Sequence, residues 1–326
     1  MGDRTEIAWT DATWNPLRGC SRVSEGCRNC YAERMAARGL PGLNSPTTGE
    51  PFAIMTPQGP RWTGKVELIE SQLDVPLRWR TPRRIFVNSM SDTFHESIRD
   101  EWIGNIVGTI WATPRHQFQV LTKRPQRAAE YLPRLYAKWN KQDLDAETAA
   151  DCAGRSFERG PDLPPENLWL GVSVEDQRSA DKRIPHLLAT PAAVRFLSVE
   201  PLLGPVDLKR WLRWPTDSFG IPYPGNPNRI DWVVVGGESG PGARPCRLEW
   251  IRSIVQQCAA AGVPCFVKQI GSRPEFASDH WPEGLTSALW SSDLGFYDYP
   301  ATKKGGDPTE WPDDLRVRQF PEARNA

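Results

Sequence analysis

The sequence Arg84-Ile85-Phe86-Val87-Asn88-Ser89-Met90-Ser91-Asp92 joins a short apolar run to a polar segment that follows it directly. An unbroken apolar run of this length is typical of a strand that is buried on both faces, as in a parallel sheet. Helix-like stretches separate further copies of the pattern, at 117–124, 168–176, 194–201, 231–240 and 264–269. The sequence therefore predicts an α/β fold, a full or partial (β/α) barrel of about 6–7 parallel strands.

The polar residues that follow these runs are candidates for a binding site. Parallel strands in a (β/α) barrel end on one face, and that face carries the active site in barrel enzymes. Side chains that are far apart in the sequence are therefore expected to come together there. The candidates are Asn88, Ser89, Ser91, Asp92, Lys123, Glu200, Glu238 and Lys268.

Three of the seven cysteines lie in the segment 19–34, which follows a strand predicted over 5–14. Six residues separate Cys20 from Cys27, and two separate Cys27 from Cys30. Thiolate sulfur favours zinc, copper(I) or iron–sulfur clusters, and the start of the helix predicted after the third cysteine stabilises negative charge. These three cysteines are therefore predicted metal ligands on the face where the strands end.

The domain organisation follows from the positions of the Pro- and Gly-rich segments. Residues 1–272 are predicted to form the barrel domain, with a helix over 66–80. Residues 273–326 are predicted to be an irregular C-terminal extension packed on the barrel. Insertions into the barrel are expected near 40–64, 140–166 and 212–230.

The overall charge does not indicate a nucleic-acid or membrane partner, since Lys+Arg and Asp+Glu both number 40. No apolar run reaches about 18 residues, so no membrane span is expected. The odd, clustered cysteines are typical of a reducing compartment, and we expect a cytoplasmic protein. A local basic run at 78–84, joined by Lys123, Arg124 and Arg127, fits either a nucleic-acid backbone contact or a solvated surface.

Other interpretations of the candidate residues remain open at this point. A structural zinc site would need a fourth ligand, from Cys246, Cys265 or His95. The glycine-rich segment 236–240 suits either a phosphate- or ribose-binding turn or a simple tight turn. Glu200 and Glu238 together suit the carboxylate pair of a glycoside hydrolase, although that interpretation leaves the cysteines unexplained.

Several motifs resemble those of a known family, the phage-type three-cysteine-motif proteins, which are similar to radical S-adenosylmethionine (SAM) enzymes. The resemblance extends over residues 5–272. The commonest radical-SAM spacing has three residues between the first two cysteines, where this chain has six. The motifs are Gly19-Cys20, Gly26-Cys27-x-x-Cys30-Tyr31-Ala32-Glu33, Ser89-Met90-Ser91-Asp92-x-Phe94-His95, Leu121-Thr122-Lys123-Arg124-Pro125, Ser198-Val199-Glu200-Pro201-Leu202 and Gly236-Gly237-Glu238-Ser239-Gly240.

The resemblance implies a cofactor set and a reaction class. Cys20, Cys27 and Cys30 would bind three irons of a 4Fe-4S cluster, and the fourth iron would bind the amino and carboxylate groups of SAM. An electron from a flavodoxin- or ferredoxin-type donor would then cleave the sulfonium, and the resulting 5′-deoxyadenosyl radical would take a hydrogen atom from the substrate. The substrate is not specified; a nucleic acid and a phage-associated partner protein are the first expectations. A non-catalytic iron–sulfur protein is the alternative.

The resemblance and the barrel position also suggest roles for the candidate side chains. Tyr31 would lie near the adenine of SAM, and the segment 88–92 would meet its methionyl amine. Ribose hydroxyls or substrate would be held by two glutamates, and a carboxylate or phosphate by two lysines. The glutamates are Glu200 and Glu238, and the lysines are Lys123 and Lys268.

Overall fold

The computed structural model describes residues 5–40, 42–140, 164–212, 229–275, 290–291, 296–297 and 304–321. The chain forms two compact units. The first unit comprises Met1–Val172 and Ala189–Val194, and the second comprises Ser173–Leu188 and Arg195–Ala326.

The first unit is built on a parallel sheet. Its elements are β1 (Ala12–Trp14), β2 (Leu17–Arg18), α1 (Tyr31–Ala36), β3 (Ala53–Thr56), β4 (Gly59–Trp62), β5 (Glu67–Leu68), α2 (Val75–Arg78), β6 (Arg84–Val87), α3 (Asp100–Trp111), β7 (Gln117–Thr122), α4 (Pro125–Asn140) and β8 (Leu168–Ser173). Strands β1, β6, β7 and β8 are neighbours in that order, and each pair is parallel. Two antiparallel pairs, β2 with β5 and β3 with β4, lie outside this sheet.

Apolar periodicity explains the core of this unit. Helix α3 buries Ile103, Ile106 and Ile110, which recur at the three- and four-residue spacing of one helix face. Tryptophans preceding the sheet and in β1 pack edge-on against its phenylalanines, with ring centroids 5.0 Å apart for Trp9 and Phe86. These contacts pack Trp9 against β6 and Trp14 of the three-residue strand β1 against Phe118 of β7.

The second unit repeats the architecture. Its elements are α5 (Gln177–Leu188), β9 (Val194–Val199), α6 (Lys209–Leu212), β10 (Trp232–Gly236), β11 (Cys246–Arg247), α7 (Leu248–Ala261), β12 (Cys265–Gln269), β13 (Pro274–Glu275), β14 (Trp290–Ser291) and β15 (Phe296–Tyr297). Strand β10 pairs in parallel with β9 on one side and with β12 on the other. All five residues of β10 are buried, as expected for a central strand of a parallel sheet.

Part of the predicted C-terminal extension packs along β12. The Val267 amide donates to the carbonyl of Val317 at 2.8 Å, and the Gln319 amide donates to the carbonyl of Cys265 at 2.9 Å. Phe320 stacks on Trp232 of β10, with ring centroids 5.4 Å apart. The segment 304–321 thus covers the outer edge of the three-stranded sheet of this unit.

The α/β part of the predicted fold class is confirmed, since seven parallel strands flanked by helices occur in the described residues, four in the first unit and three in the second. The likeness to a radical-SAM barrel stays a prediction. The helix predicted over 66–80 is wrong. Leu68 pairs with Leu17 and the Ile69 amide donates to the carbonyl of Pro16, so only Val75–Arg78 remain α-helical. Closure into a barrel and the boundary at 272 stay predictions.

The predicted insertions are only partly described. The one at 40–64 contains the antiparallel hairpin of β3 and β4. Those at 140–166 and 212–230 lie mostly outside the described residues. Across the described ranges, none of the helices combines the length and apolar character that a membrane crossing requires.

Candidate metal centre

The cysteine loop starts at a fixed point beside the end of β6. The Leu17 amide donates to Oδ1 of Asn88 at 3.1 Å, and the Ser91 hydroxyl donates to the carbonyl of Gly19 at 2.6 Å. Gly19 has φ of +85°, and a Cβ placed there would lie 1.9 Å from the carbonyl oxygen of Lys65. Only glycine therefore fits at the position immediately before Cys20.

Asp92 connects the ends of β6 and β7. Its buried carboxylate accepts hydrogen bonds from the Thr122 hydroxyl at 2.7 Å and from the Lys123 amide at 3.0 Å. It also forms an ion pair with Arg124, whose Nη1 lies 3.2 Å from Oδ2. The carboxylate thus orients the guanidinium group of Arg124.

Arg124 links this strand edge to the cysteine loop. Its Nη2 donates to the carbonyl and hydroxyl oxygens of Ser21 at 3.1 and 2.7 Å, and its Nη1 lies 3.7 Å from Sγ of Cys20. Its Nε donates to Glu96 at 2.7 Å. The side chain is only 10% exposed. Burial lowers the pKa of Arg124, but the charges of Asp92, Cys20 and Glu96 outweigh burial and raise it, so the side chain remains cationic.

His95 completes the contacts around Ser21. The Ser97 amide donates to Nδ1 of His95 at 3.1 Å, so that nitrogen is an acceptor. In the neutral ring Nε2 then carries the proton, and it lies 2.9 Å from the Ser21 hydroxyl. Burial and the charge of Arg124 lower the pKa of His95, which favours this neutral form. Because both ring nitrogens are engaged, His95 is poorly suited as the fourth ligand of a zinc site.

A second ion pair holds the other side of the loop. Nε of Arg22 donates to both carboxylate oxygens of Glu33 in α1, at 3.1 and 3.0 Å. The Glu33 side chain is 1% exposed and also accepts from the Trp62 amide at 2.9 Å. Arg22 in turn donates to the carbonyl of Pro60 at 3.2 Å. The loop, α1 and the β3–β4 hairpin are thereby joined into one structure.

The three thiols of the loop are free and half-buried. Burial, followed by the charge of Asp92, raises the pKa of Cys20 to about 12, and the charge of Cys30 adds to this effect. Burial also raises the pKa of Cys30, and the charge of Cys27 adds to it, although the amides of Glu33 and Ala32 act in the opposite direction. Ionised thiols of this loop therefore repel one another, and a bound cation would relieve that repulsion.

Thiolate sulfur is a donor both in iron–sulfur clusters and in zinc sites. Within the described ranges, no three His, Cys, Asp or Glu side chains form a group that could hold one metal ion. Structural zinc needs its four ligands around one point. Three thiolates that each bind a different iron of a cluster do not have to meet at one point. The chemistry of Cys20, Cys27 and Cys30 therefore fits an iron–sulfur cluster.

The predicted SAM-binding residues near the loop make hydrogen bonds within the protein. Asn88 donates through Nδ2 to Thr93 at 2.7 Å, besides accepting from Leu17. The Ser89 hydroxyl donates to Oδ1 of Asn15 at 3.0 Å, and its carbonyl accepts from the Tyr31 hydroxyl at 2.9 Å. The side chains of Asn88 and Ser89 thus help to position the loop, and the predicted contacts of the 88–92 segment and Tyr31 with SAM stay predictions.

In the second unit the structure brings Glu200 and Lys268 together. Lys268 Nζ lies 3.2 Å from Oε1 of Glu200, and the Ser198 hydroxyl donates to Oε2 at 3.3 Å. Glu238 is held separately by Arg244, which donates through Nε and Nη2 to its two carboxylate oxygens at 2.9 and 2.7 Å. Both carboxylates already have cationic partners, which disfavours the interpretation as a glycoside hydrolase.

Close packing accounts for the first two glycines of the segment 236–240. A Cβ on Gly236 would lie 2.8 Å from Oε1 of Glu200, and one on Gly237 would lie 2.4 Å from the carbonyl of Ile270. The Gly237 amide donates to the carbonyl of Gln269 at 3.1 Å. These contacts support a tight turn packed on the end of β12.

The remaining zinc candidates are buried cysteines of the second unit. Cys246 and Cys265 are both almost inaccessible. Cys265 forms a hydrogen bond with Cys258 that, together with burial, raises the pKa of Cys258. Both thiols of this pair therefore behave as ordinary core groups.

Several arginines of the predicted basic surface are neutralised within the chain. Arg78 pairs with Asp74 at 2.8 Å, and Arg84 pairs with Asp11 at 3.1 Å. Arg127 pairs with Asp100 at 2.9 Å. The structure therefore weakens the electrostatic argument for a nucleic-acid partner at this segment.

Sequence reasoning missed the residues that anchor the loop. The sequence pattern predicts no anchoring role for Arg124 or Arg22. Asp92, the partner of Arg124, lies 32 positions away in the sequence, and Glu33, the partner of Arg22, lies 11 positions away. The signal available was the position of Arg124, directly after the strand end that carries Lys123.

Comparison with known proteins gives a family and no activity. No curated protein matches the chain, and no solved structure matches it. The model of the family described as "Protein of unknown function (DUF5131)" matches residues 4–292, which include the cysteine loop and all seven strands of the parallel sheets. The chain therefore belongs to the DUF5131 family.

Proposed function

We propose that this protein is a radical-SAM-like iron–sulfur enzyme in which Cys20, Cys27 and Cys30 hold a 4Fe-4S cluster. The observation that carries the proposal is the loop itself. Three free thiols lie in one segment that Arg124 anchors to the ends of parallel strands and that Glu33 anchors to α1. Protein iron–sulfur clusters are held by such thiolates, and the cysteine loop follows the first parallel strand of the chain.

Two groups beside the loop favour thiolates, although burial and the charge of Asp92 act in the opposite direction. Arg124 brings a positive charge to Cys20, and the amides of Ala32 and Glu33 face Cys30. Burial limits the access of water to Cys20 and Cys30, and hydrogen bonds to the sulfurs tune a cluster's reduction potential. Three cysteine ligands would leave one iron open to bind SAM. When bound, the cluster would supply the electron that cleaves the sulfonium of SAM.

Addition of SAM to the reduced, cluster-loaded protein is expected to release 5′-deoxyadenosine, measured by chromatography. A Cys30→Ala variant treated in the same way should release none, because it lacks one cluster ligand. An intact cluster that gives neither product nor any change in its electron paramagnetic resonance spectrum with SAM would instead identify a non-catalytic iron–sulfur protein. Bound zinc without iron would favour a structural metal site.

A further inference from the structure

The first unit contains a cleft that the proposed iron–sulfur site does not use. It lies between the segment 68–73, which begins at the end of β5, and the beginning of α3, and its volume is about 460 Å³. Ligand sites in proteins commonly have volumes of about 300–1,000 Å³. The cleft is open to solvent, and we call it the β5–α3 cleft.

One wall of the β5–α3 cleft is apolar and fixed in place. Leu68 and Leu73 line it, and both side chains are partly exposed. The Thr109 hydroxyl donates to the carbonyl of Leu73 at 3.3 Å, and Nε1 of Trp14 donates to the carbonyl of Gln72 at 2.6 Å. Since α3 and β1 both hold this segment, the apolar wall keeps its place without a ligand.

Three polar side chains line the same cleft, Glu70 on the segment 68–73 and Glu101 and Asn105 on α3. Glu101 and Asn105 are four residues apart and therefore lie on the same face of the helix. Within the described part of the chain, neither carboxylate forms an ion pair or a hydrogen bond, and the side-chain amide of Asn105 has no hydrogen-bond partner. The cleft thus offers acceptor oxygens to a ligand that donates hydrogen bonds.

A cationic side chain, Arg99, also lines the cleft, but it is engaged with an aromatic ring. Its guanidinium carbon lies 4.5 Å from the centroid of the Trp102 ring, a cation–π contact. Two carboxylates and one guanidinium give the lining a net charge of −1, whereas the complete chain has a formal net charge of zero. Charge complementarity therefore favours a cationic ligand and disfavours the phosphates of a nucleic acid.

We propose that the β5–α3 cleft docks an arginine side chain from a basic segment of a partner protein. The apolar stem of arginine packs on the leucines, and its guanidinium donates to Glu70 and Glu101. Small-molecule sites enclose most of their ligand, whereas this open cleft suits a single side chain of a larger partner. The inference goes beyond the proposed function and is independent of the cluster.

Fluorescence anisotropy with a fluorescein-labelled peptide of alternating leucine and arginine residues tests the proposal. The double variant Glu70→Gln/Glu101→Gln is expected to raise the Kd about tenfold, because each lost ion pair weakens binding by a factor of about three. A second peptide, in which uncharged citrulline replaces each arginine, should bind the wild-type protein at least about tenfold more weakly. Added salt should weaken wild-type binding more than binding by the double variant.

Glu130→Gln is the matched control, because it makes the same substitution at an exposed position of α4, outside the cleft. It should leave the Kd unchanged within about twofold. The glutamine variants should melt within a few degrees of the wild-type protein, because the replaced side chains are exposed and glutamine has nearly the shape of glutamate.

Three outcomes would overturn the docking proposal. The first is an unchanged Kd in the double variant, or equal binding of the citrulline and arginine peptides. The second is saturable binding of spermine, a small polyamine, without binding of the peptide. The third is a concentration-dependent dimer that the double variant abolishes, which would make a second copy of this chain the occupant. A protein that binds no iron would overturn the proposed function and leave the docking proposal intact.

Discussion

Arg124→Gln is expected to lower the free energy of unfolding of the metal-free protein by about 3 kcal/mol, because it leaves the buried Asp92 carboxylate without its cationic partner. The same change removes the hydrogen bonds to Ser21 that hold the start of the cysteine loop. Iron content after anaerobic reconstitution should therefore fall as well. Urea denaturation and iron analysis measure the two effects.

Arg134→Gln is the matched control, because it makes the same substitution at an exposed position of α4, the helix that directly follows Arg124. Its expected effect on stability is within about 0.5 kcal/mol. Arg124→Lys should restore part of the stability but not the loop, since an ammonium group cannot reproduce the fork of contacts to Asp92, Ser21 and Glu96. Equal stabilities for the two Gln variants would contradict the anchoring role of Arg124.

Gly19→Ala is expected to destabilise the protein by about 3 kcal/mol. Of this, about 1 kcal/mol comes from the left-handed backbone conformation, and about 2 kcal/mol comes from the clash with the carbonyl of Lys65. The backbone must move to relieve the clash, so the neighbouring Cys20 would leave its position beside Arg124. Both the unfolding free energy and the bound iron should decrease.

Gly64→Ala isolates the contribution of the clash. Gly64 has φ of +82°, close to that of Gly19, but a Cβ there would meet nothing within 4 Å. Its expected cost is about 1 kcal/mol, with full iron binding. If the two alanine variants lose the same stability and iron, the close approach of Gly19 to Lys65 has no role in forming the site.

The elements of the fold could be predicted where local pattern and packing agree. The helix-like stretch between the segments 231–240 and 264–269 forms helix α7, because its apolar spacing is regular and Gly262 ends it in a left-handed conformation. The strand expected over 84–88 ends one residue earlier, at Val87. The failure over 66–80 has a different origin, since the pairing of Leu68 with Leu17 is a contact across 51 positions that local spacing cannot reveal.

The sequence predicts the location of the candidate site better than it predicts the roles of the side chains there. The cysteines and the polar strand ends 88–92 and 123 do come together. What spacing alone could not predict is that Asn88 and Asp92 use their polar atoms to hold the loop and Arg124. Hydrogen bonding of buried polar groups depends on long-range geometry, which residue type does not specify.

The central claim is that Cys20, Cys27 and Cys30 together hold an iron–sulfur cluster. Iron and acid-labile sulfide, measured after anaerobic reconstitution, test it most directly when the wild type is compared with the triple variant in which all three cysteines are alanine. The wild type should contain about four irons and four sulfides per chain, and the triple variant should contain none. A triple variant that keeps the cluster, or a wild-type protein that binds no iron, would contradict the claim.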